Sequence, residues 1–272
     1  MVQQMSSVKR RMLHAANRAL DRFGVELVTR GEIESGAARL TSLIDGLYAV
    51  YSEHIFSELP SCDGRLELVR SLIGTEVPEA MFLLHHLHGA LASGDGDVVE
   101  MGIAQGATSA LLANEIRKYA ERSLWLYDSF EGLSQPTDED VLIDDMENRG
   151  SMGAYAGAMA NPRRLVEGRL DAIAFPVRRT KIVHGFIDDQ MPVPELVAFA
   201  YLDFDLYTPI LTGLTLLHPH TRPGTVLMVD DYGYFSSGVA AAVKEFLNER
   251  ANDYDLLEAP SYGGHFCALV RR

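Results

Sequence analysis

Cysteine is nearly absent from this chain: its 272 residues include two, Cys62 and Cys267, in unrelated segments. That excludes a disulfide framework and fits a reducing compartment. Long apolar runs are missing too, since none approaches the roughly 20 residues that a membrane-spanning helix needs. The N-terminus carries no apolar core of a secretory signal, so cytoplasmic residence is expected. Basic residues are in deficit, 24 against 38 acidic ones, for a net charge of −14. A body that acidic disfavours nucleic acid as a partner, because phosphate binding needs clustered Lys and Arg. The exception lies around residues 8–22, where Val8, Met12, Ala16, Leu20 and Phe23 recur at helical spacing among Lys9, Arg10, Arg11, Arg18 and Arg22. Such a stretch docks on the main domain or on a second subunit, lies on a membrane surface, or serves as a transit peptide.

With 47% hydrophobic residues, the chain can bury the core of one large domain, or of a domain plus a cap. Residues 1–94 read as a helical region, a cap or an oligomer contact, with apolar spacings of three and four over Ala37–Ile55 and Glu79–Leu91. After the turn Ser93-Gly94-Asp95-Gly96-Asp97 the pattern changes. Apolar runs at Val98–Met101, Ser123–Tyr127, Lys181–Val183, Val197–Leu202, Thr225–Val229, Tyr254–Leu257 and Phe266–Val270 predict strands. Helical patterns at Thr108–Arg122, Thr208–Leu217 and Ser237–Ala251 fall between them. Residues 95–272 therefore predict an α/β fold with a doubly wound, seven-stranded, mostly parallel sheet. The last strand should run antiparallel, because residues 259–264 are too few for a helical crossover. Residues 132–176 form an insertion with mobile character at Pro136–Asp140 and Gly150–Ala154, and are expected to act as a lid or substrate-binding loop.

Two runs carry the chemistry. Tyr201-Leu202-Asp203-Phe204-Asp205-Leu206-Tyr207 and Val226-Leu227-Met228-Val229-Asp230-Asp231-Tyr232 are each a strand that ends in carboxylates. On neighbouring parallel strands those acids meet at one rim and repel one another unless a cation sits between them. Oxygen-only ligands favour Mg²⁺, Ca²⁺ or Mn²⁺. Any single Asp after a strand also reads as a cap or turn residue. Upstream, Glu100-x-Gly102-x-x-x-Gly106 stands where the first strand turns into its helix, allowing close backbone approach to a ligand and presenting free N–H groups. It is not the dinucleotide fingerprint, which requires glycines where Ala104 and Ala107 stand. In Tyr127-Asp128-Ser129-Phe130-Glu131, Asp128 either accepts the hydroxyls of a ribose or caps the next element. A shortened glycine motif followed by a ribose acid is the pattern of S-adenosylmethionine enzymes.

Taken together, the E-x-G-x-x-x-G turn, the run Tyr127–Leu133, Leu202–Tyr207 and Val229–Gly233 resemble the TylF-type (macrocin) O-methyltransferases over roughly residues 95–272. The resemblance implies a class I, S-adenosylmethionine-dependent enzyme that methylates hydroxyls, typically on sugars of natural products, with Mg²⁺ (or Mn²⁺). It implies cofactor contacts from Glu100, Gly102, Gly106, Asp128, Ser129 and Asp188, the last with its neighbour Asp189 equally readable as solvated loop acids. It implies metal ligation by Asp203, Asp230 and Asp231, and a general base at Asp203 or Asp205. The related catechol enzymes carry a Lys three positions after the first metal-binding Asp, where this chain has Leu206, so a sugar hydroxyl fits better than a catechol. The expected partner is a small hydroxylated acceptor, with self-association into a homo-oligomer and no nucleic acid. Two other classes stay open: a metal-dependent enzyme that uses no methyl donor, and a cofactor-binding partner without catalysis. Among the histidines, His85, His86 and His88 predict surface or interface roles, whereas His184 and His265 are placed to border the cofactor and the site.

Overall fold

The computed structural model describes Ala16, residues 30–250 and residues 252–272. Apart from Ala16, the basic stretch around residues 8–22 lies outside the described residues. The chain divides into two compact units, residues 1–47 and 48–272. Helix α1 (Arg30–Val50) runs across that boundary. In its first-unit part, Ile33, Leu40, Leu43 and Leu47 are exposed. The sequence predicts a boundary near residue 94, yet α2 (Arg65–Arg70) and α3 (Val77–Ser93) belong to the second unit. The reason is burial: Ala80, Met81, Leu83, Leu84 and Leu87 of α3 are wholly enclosed, and α3 packs on the two strands called β4 and β5 below.

The second unit is built on seven strands: β1 (Asp97–Met101), β2 (Leu124–Asp128), β3 (Thr180–His184), β4 (Val197–Leu202), β5 (Val226–Val229), β6 (Tyr254–Glu258) and β7 (Cys267–Arg271). Their order across the sheet is β3-β2-β1-β4-β5-β7-β6. The first five are parallel, and β7 runs antiparallel to both β5 and β6. All six residues of β4 are buried, as expected of a central strand covered on both faces. Helices α6 (Tyr207–Leu217) and α7 (Ser237–Glu249) cover one face, where Ile210, Leu214, Val243 and Phe246 meet Val99, Met101, Leu202 and Val229. Side chains alternate along a strand, so Glu100 points the other way, toward α4 (Ala107–Glu115) and its Ser109.

The register decides where function can sit. Met101 pairs with Tyr127 on one side and with Leu202 on the other, and Leu202 pairs with Val229. One row across the sheet therefore ends four strands at the same level. The next residues, Gly102, Asp128, Asp203 and Asp230, stand side by side on the C-terminal rim, where open α/β sheets bind their ligands.

Three elements depart from expectation. Helix α4 stops at Glu115 and gives way to a tight turn, Ile116–Lys118, instead of continuing to Arg122. The Arg179 guanidinium ends it by donating to the carbonyls of Ile116, Arg117, Tyr119 and Arg122, acceptors that a helix end otherwise leaves unpaired. Helix α2 was not foreseen; it carries Arg65, buried in an ion pair with Glu115 at 2.6 Å. That same carboxylate takes His88 Nε2 at 2.7 Å, so His88 is enclosed in the fold and not on the surface. Finally, residues 132–176 are not one loop. Helix α5 (Arg164–Ala172) lies within them, buries Val166 and Leu170, and packs on α4. Among the described residues, no helix is long and apolar enough to cross a membrane.

Candidate active site

Backbone contacts at the rim hold the glycine turn in place. Gly102 N donates to Tyr127 O at 2.9 Å, and Asp203 N donates to Met101 O at 2.7 Å. A Cβ on Gly102, whose φ is +81°, would stand 1.8 Å from Asp203 O, so only glycine lets β1 leave the sheet this close to β4. Gly106 opens α4 at φ +74°, and a Cβ there would meet the Val166 backbone of α5 at 2.9 Å. Asp128 folds the turn from the other side. Its Oδ2 accepts the N–H groups of Ile103 at 2.8 Å and Ala104 at 3.1 Å, and its Oδ1 accepts that of Phe130 at 2.6 Å. A carboxylate offers about four acceptor positions, so Asp128 organises the loop and keeps acceptor capacity for a ligand hydroxyl. Ser129 is buried and closes the next turn, donating to Gly132 O and accepting from Glu131 N. Glu100 is 1% exposed; burial pushes its carboxyl up to about 8, and its Oε2 has no protein partner. A buried polar atom left unpaired beneath a glycine turn fits a cofactor's polar group. Asp188 is exposed and accepts from Gln190 N in its own loop. His184 meets the ring of Phe130 edge-on at 5.3 Å.

The acids converge next to this turn. Asp203, Asp205 and Asp231 each present a carboxylate oxygen within 4.8 Å of the others. Asp230 is not part of that set: its Oδ2 accepts the Tyr201 hydroxyl at 2.6 Å inside the fold. Glu79, from the first turn of α3, hydrogen-bonds Asp230. Crowding shows in the acidities. Burial, then the charges of Asp230, Asp205, Asp231 and Glu79, hold Asp203 well above the usual carboxylate range. Burial raises Asp205 to about 6, opposed by a hydrogen bond from Asp231. Asp231 rises to about 10 through burial and the charges of Asp205 and Asp230, and Glu79 to about 11 through burial and Asp230. Asp205 and Asp231 also hold left-handed backbone, at φ +62° and +54°. Non-glycine residues pay ~1–2 kcal/mol for that conformation, and strain of this kind gathers at functional sites. Three converging oxygen donors in a repelling, partly buried cluster fit a hard divalent cation.

Residues 132–163 border the cluster. Asp140 is buried and accepts Tyr207 N at 2.8 Å, the Ser236 hydroxyl at 3.0 Å and Thr137 N at 2.9 Å. Tyr234 donates to Asp144 at 2.7 Å and stacks on His265 with centroids 4.2 Å apart. Tyr155 and Phe235 pack edge-on in a small core beside Leu206. The sequence thus marked the two Asp pairs and the glycine turn, but not Glu79, Tyr201 or Asp140. Only the unusual density of acids in Asp138-Glu139-Asp140 hinted at the last.

Known proteins share both fold and sequence with this chain. Mycinamicin III 3''-O-methyltransferase of Micromonospora griseorubida is 29% identical over 55% of this chain and 61% of its own length. A tetracenomycin-C 4'-O-methyltransferase of Streptomyces olivaceus, acting by its name on a dimethoxyrhamnosyl form, is 29% identical over 50% of this chain and 53% of its own. The alignments thus span between about half and three-fifths of those relatives. Among solved structures, the O-methyltransferase NovP superposes with a TM-score of 0.62 at 19% identity, covering 85% of this chain and 99% of its own. CalS11, a calicheamicin methyltransferase, gives 0.56 at 18% identity, covering 90% and 94%. Structures this distant in sequence show a shared fold and nothing further. The profile of the macrocin O-methyltransferase (TylF) family matches residues 86–266, a span that holds the glycine turn, Asp128 and both Asp pairs, and the chain belongs to that family.

Proposed function

We propose that the protein transfers a methyl group from S-adenosylmethionine to a hydroxyl of a sugar or glycosylated small molecule, with Mg²⁺ or Mn²⁺ held in the acid cluster. The register row carries this reading, because it sets the glycine turn, Asp128 and the converging carboxylates along one rim. The relatives' names support the acceptor class, since two of them denote transfer within glycosylated natural products.

Gly102 and Gly106 admit the donor close to the backbone, Asp128 accepts ribose hydroxyls, and Glu100 with Ser129 lines the same pocket. Asp188 is the residue proposed for the adenine side. The donor supplies an already activated sulfonium methyl, so the residues mainly align acceptor oxygen, methyl carbon and sulfur. Asp203 and Asp231 would hold the cation, with Asp230 behind them, and its charge would make neighbouring hydroxyl protons easier to lose. Asp205, whose carboxylate lies within the same set of oxygens as Asp203 and Asp231, is the residue that would take the proton. Transfer would form the bond from acceptor oxygen to methyl carbon as the carbon–sulfur bond breaks with its electrons on sulfur, and the acceptor's proton would pass to an Asp205 oxygen. The exposed apolar residues of α1 support self-association, which sedimentation would detect.

The test is mass spectrometry of a panel of glycosylated natural products and nucleotide sugars incubated with labelled donor. A methylated sugar is expected with Mg²⁺ and none in excess EDTA. Turnover surviving EDTA removes the cation from the proposal; no product on any sugar-bearing acceptor removes the acceptor class.

A further inference from the structure

Glu79 is a carboxyl that the reaction above does not use. It lies outside residues 86–266, which the family profile matches, and is 6% exposed. Its side chain reaches Asp230, whose other partner is the Tyr201 hydroxyl at 2.6 Å. Room for it comes from the β6–β7 connection. A Cβ on Gly264 would stand 3.0 Å from Glu79 Cβ and 3.3 Å from its Oε1. That connection is tied beside the exit of β5 by Tyr232 N donating to His265 O at 2.7 Å. Oε1 of Glu79 is buried with no donor offered to it. Two partners on different elements thus fix a side chain that a strand end alone leaves free to rotate.

We propose that Glu79 is a positioning residue of the cation site: with Tyr201 it locks the Asp230 carboxyl against the Asp203–Asp205–Asp231 cluster and so ties helix α3 to metal binding. This rests on the cation reading above. Residues behind metal ligands typically contribute about 10–100-fold to metal affinity.

The experiment titrates Mn²⁺ into the full chain, following free Mn²⁺ by electron paramagnetic resonance, with S-adenosylhomocysteine affinity measured in parallel without metal. Glu79→Ala should bind Mn²⁺ about tenfold or more weakly and keep the nucleoside affinity. Glu79→Gln, whose amide N–H can donate to Asp230, should restore most of the loss, and Tyr201→Phe should weaken Mn²⁺ several-fold. Wild-type Mn²⁺ affinity in Glu79→Ala overturns the proposal. So does equal loss in the Gln and Ala variants, which would assign the effect to charge. Should Glu79→Ala fail to fold, wild-type affinity in Tyr201→Phe overturns it instead. No Mn²⁺ binding by the wild type removes the cation reading itself, a result distinct from all of these.

Discussion

Replacing Gly102 by Ala tests whether the glycine turn and the acid cluster are one mechanical unit. A Cβ would sit 1.8 Å from Asp203 O and 2.6 Å from Asp203 C, against ordinary contact at 3.4 Å or more. The two segments must separate by about 1.6 Å, the difference between those contact distances. That movement breaks the Gly102–Tyr127 and Asp203–Met101 backbone bonds, each worth ~1 kcal/mol net. The left-handed φ of +81° adds ~1–2 kcal/mol for a residue with a side chain. A stability loss of about 3–4 kcal/mol follows, or roughly 10 °C in melting temperature for a unit of this size. Displacing the turn by more than 1 Å should also weaken S-adenosylhomocysteine binding measurably. Gly64→Ala is the control: its φ is +78°, yet nothing lies within 4 Å of a Cβ there. It should show only the conformational cost and leave ligand binding intact. Calorimetric melting and titration of both variants decide the matter. Equal stability losses, with unchanged ligand affinity in Gly102→Ala, would refute the close approach of turn and cluster.

Other outcomes follow from the same geometry. Burial raises the folded-state pKa of Glu100 to about 8, so the wild type loses stability as pH climbs from the unfolded value of 4.5 toward 8. Glu100→Gln removes that loss, and urea melts at pH 5.5 and 8.5 should show its advantage growing with pH; parallel profiles would contradict the buried acid. Asp231, raised to about 10, likewise costs metal-free stability above its ordinary range. Asp231→Asn should therefore melt no lower than wild type at pH 8 without metal, and should lose the stabilisation that Mg²⁺ gives the wild type. Asp140→Ala leaves Tyr207 N and the Ser236 hydroxyl without their acceptor, costing about 2–3 kcal/mol and opening residues 132–163 to protease. An unchanged digestion rate would show that this segment is held by other contacts.

The alternation of short apolar runs with helical patterns was enough to predict seven strands and the reversal of the last, because strand burial leaves a local mark at each position. The Asp203/Asp205 and Asp230/Asp231 pairs and the Gly102–Gly106 turn were legible as motifs for the same reason: each is written within a few consecutive residues. Helices α2 and α5 were not legible. Their burial comes from partners far along the chain, Glu115 for Arg65 and the Gly106 turn for Val166, and α5 lies in a stretch whose composition reads as loop.

What the sequence by itself determined was which carboxylates stand at strand ends and which glycines stand at the turn, since both are fixed locally. Tertiary structure alone decided how they meet. The pairing of Met101 with Tyr127 and Leu202, and of Leu202 with Val229, turns separate motifs into one rim. Packing of α3 brings Glu79 to Asp230, and Tyr201 draws Asp230 out of the set that Asp203, Asp205 and Asp231 form. Register and helix packing join residues from 26 (Met101 and Tyr127) to 151 (Glu79 and Asp230) positions apart, and no pattern within one segment encodes which carboxylate a buried hydroxyl will reach.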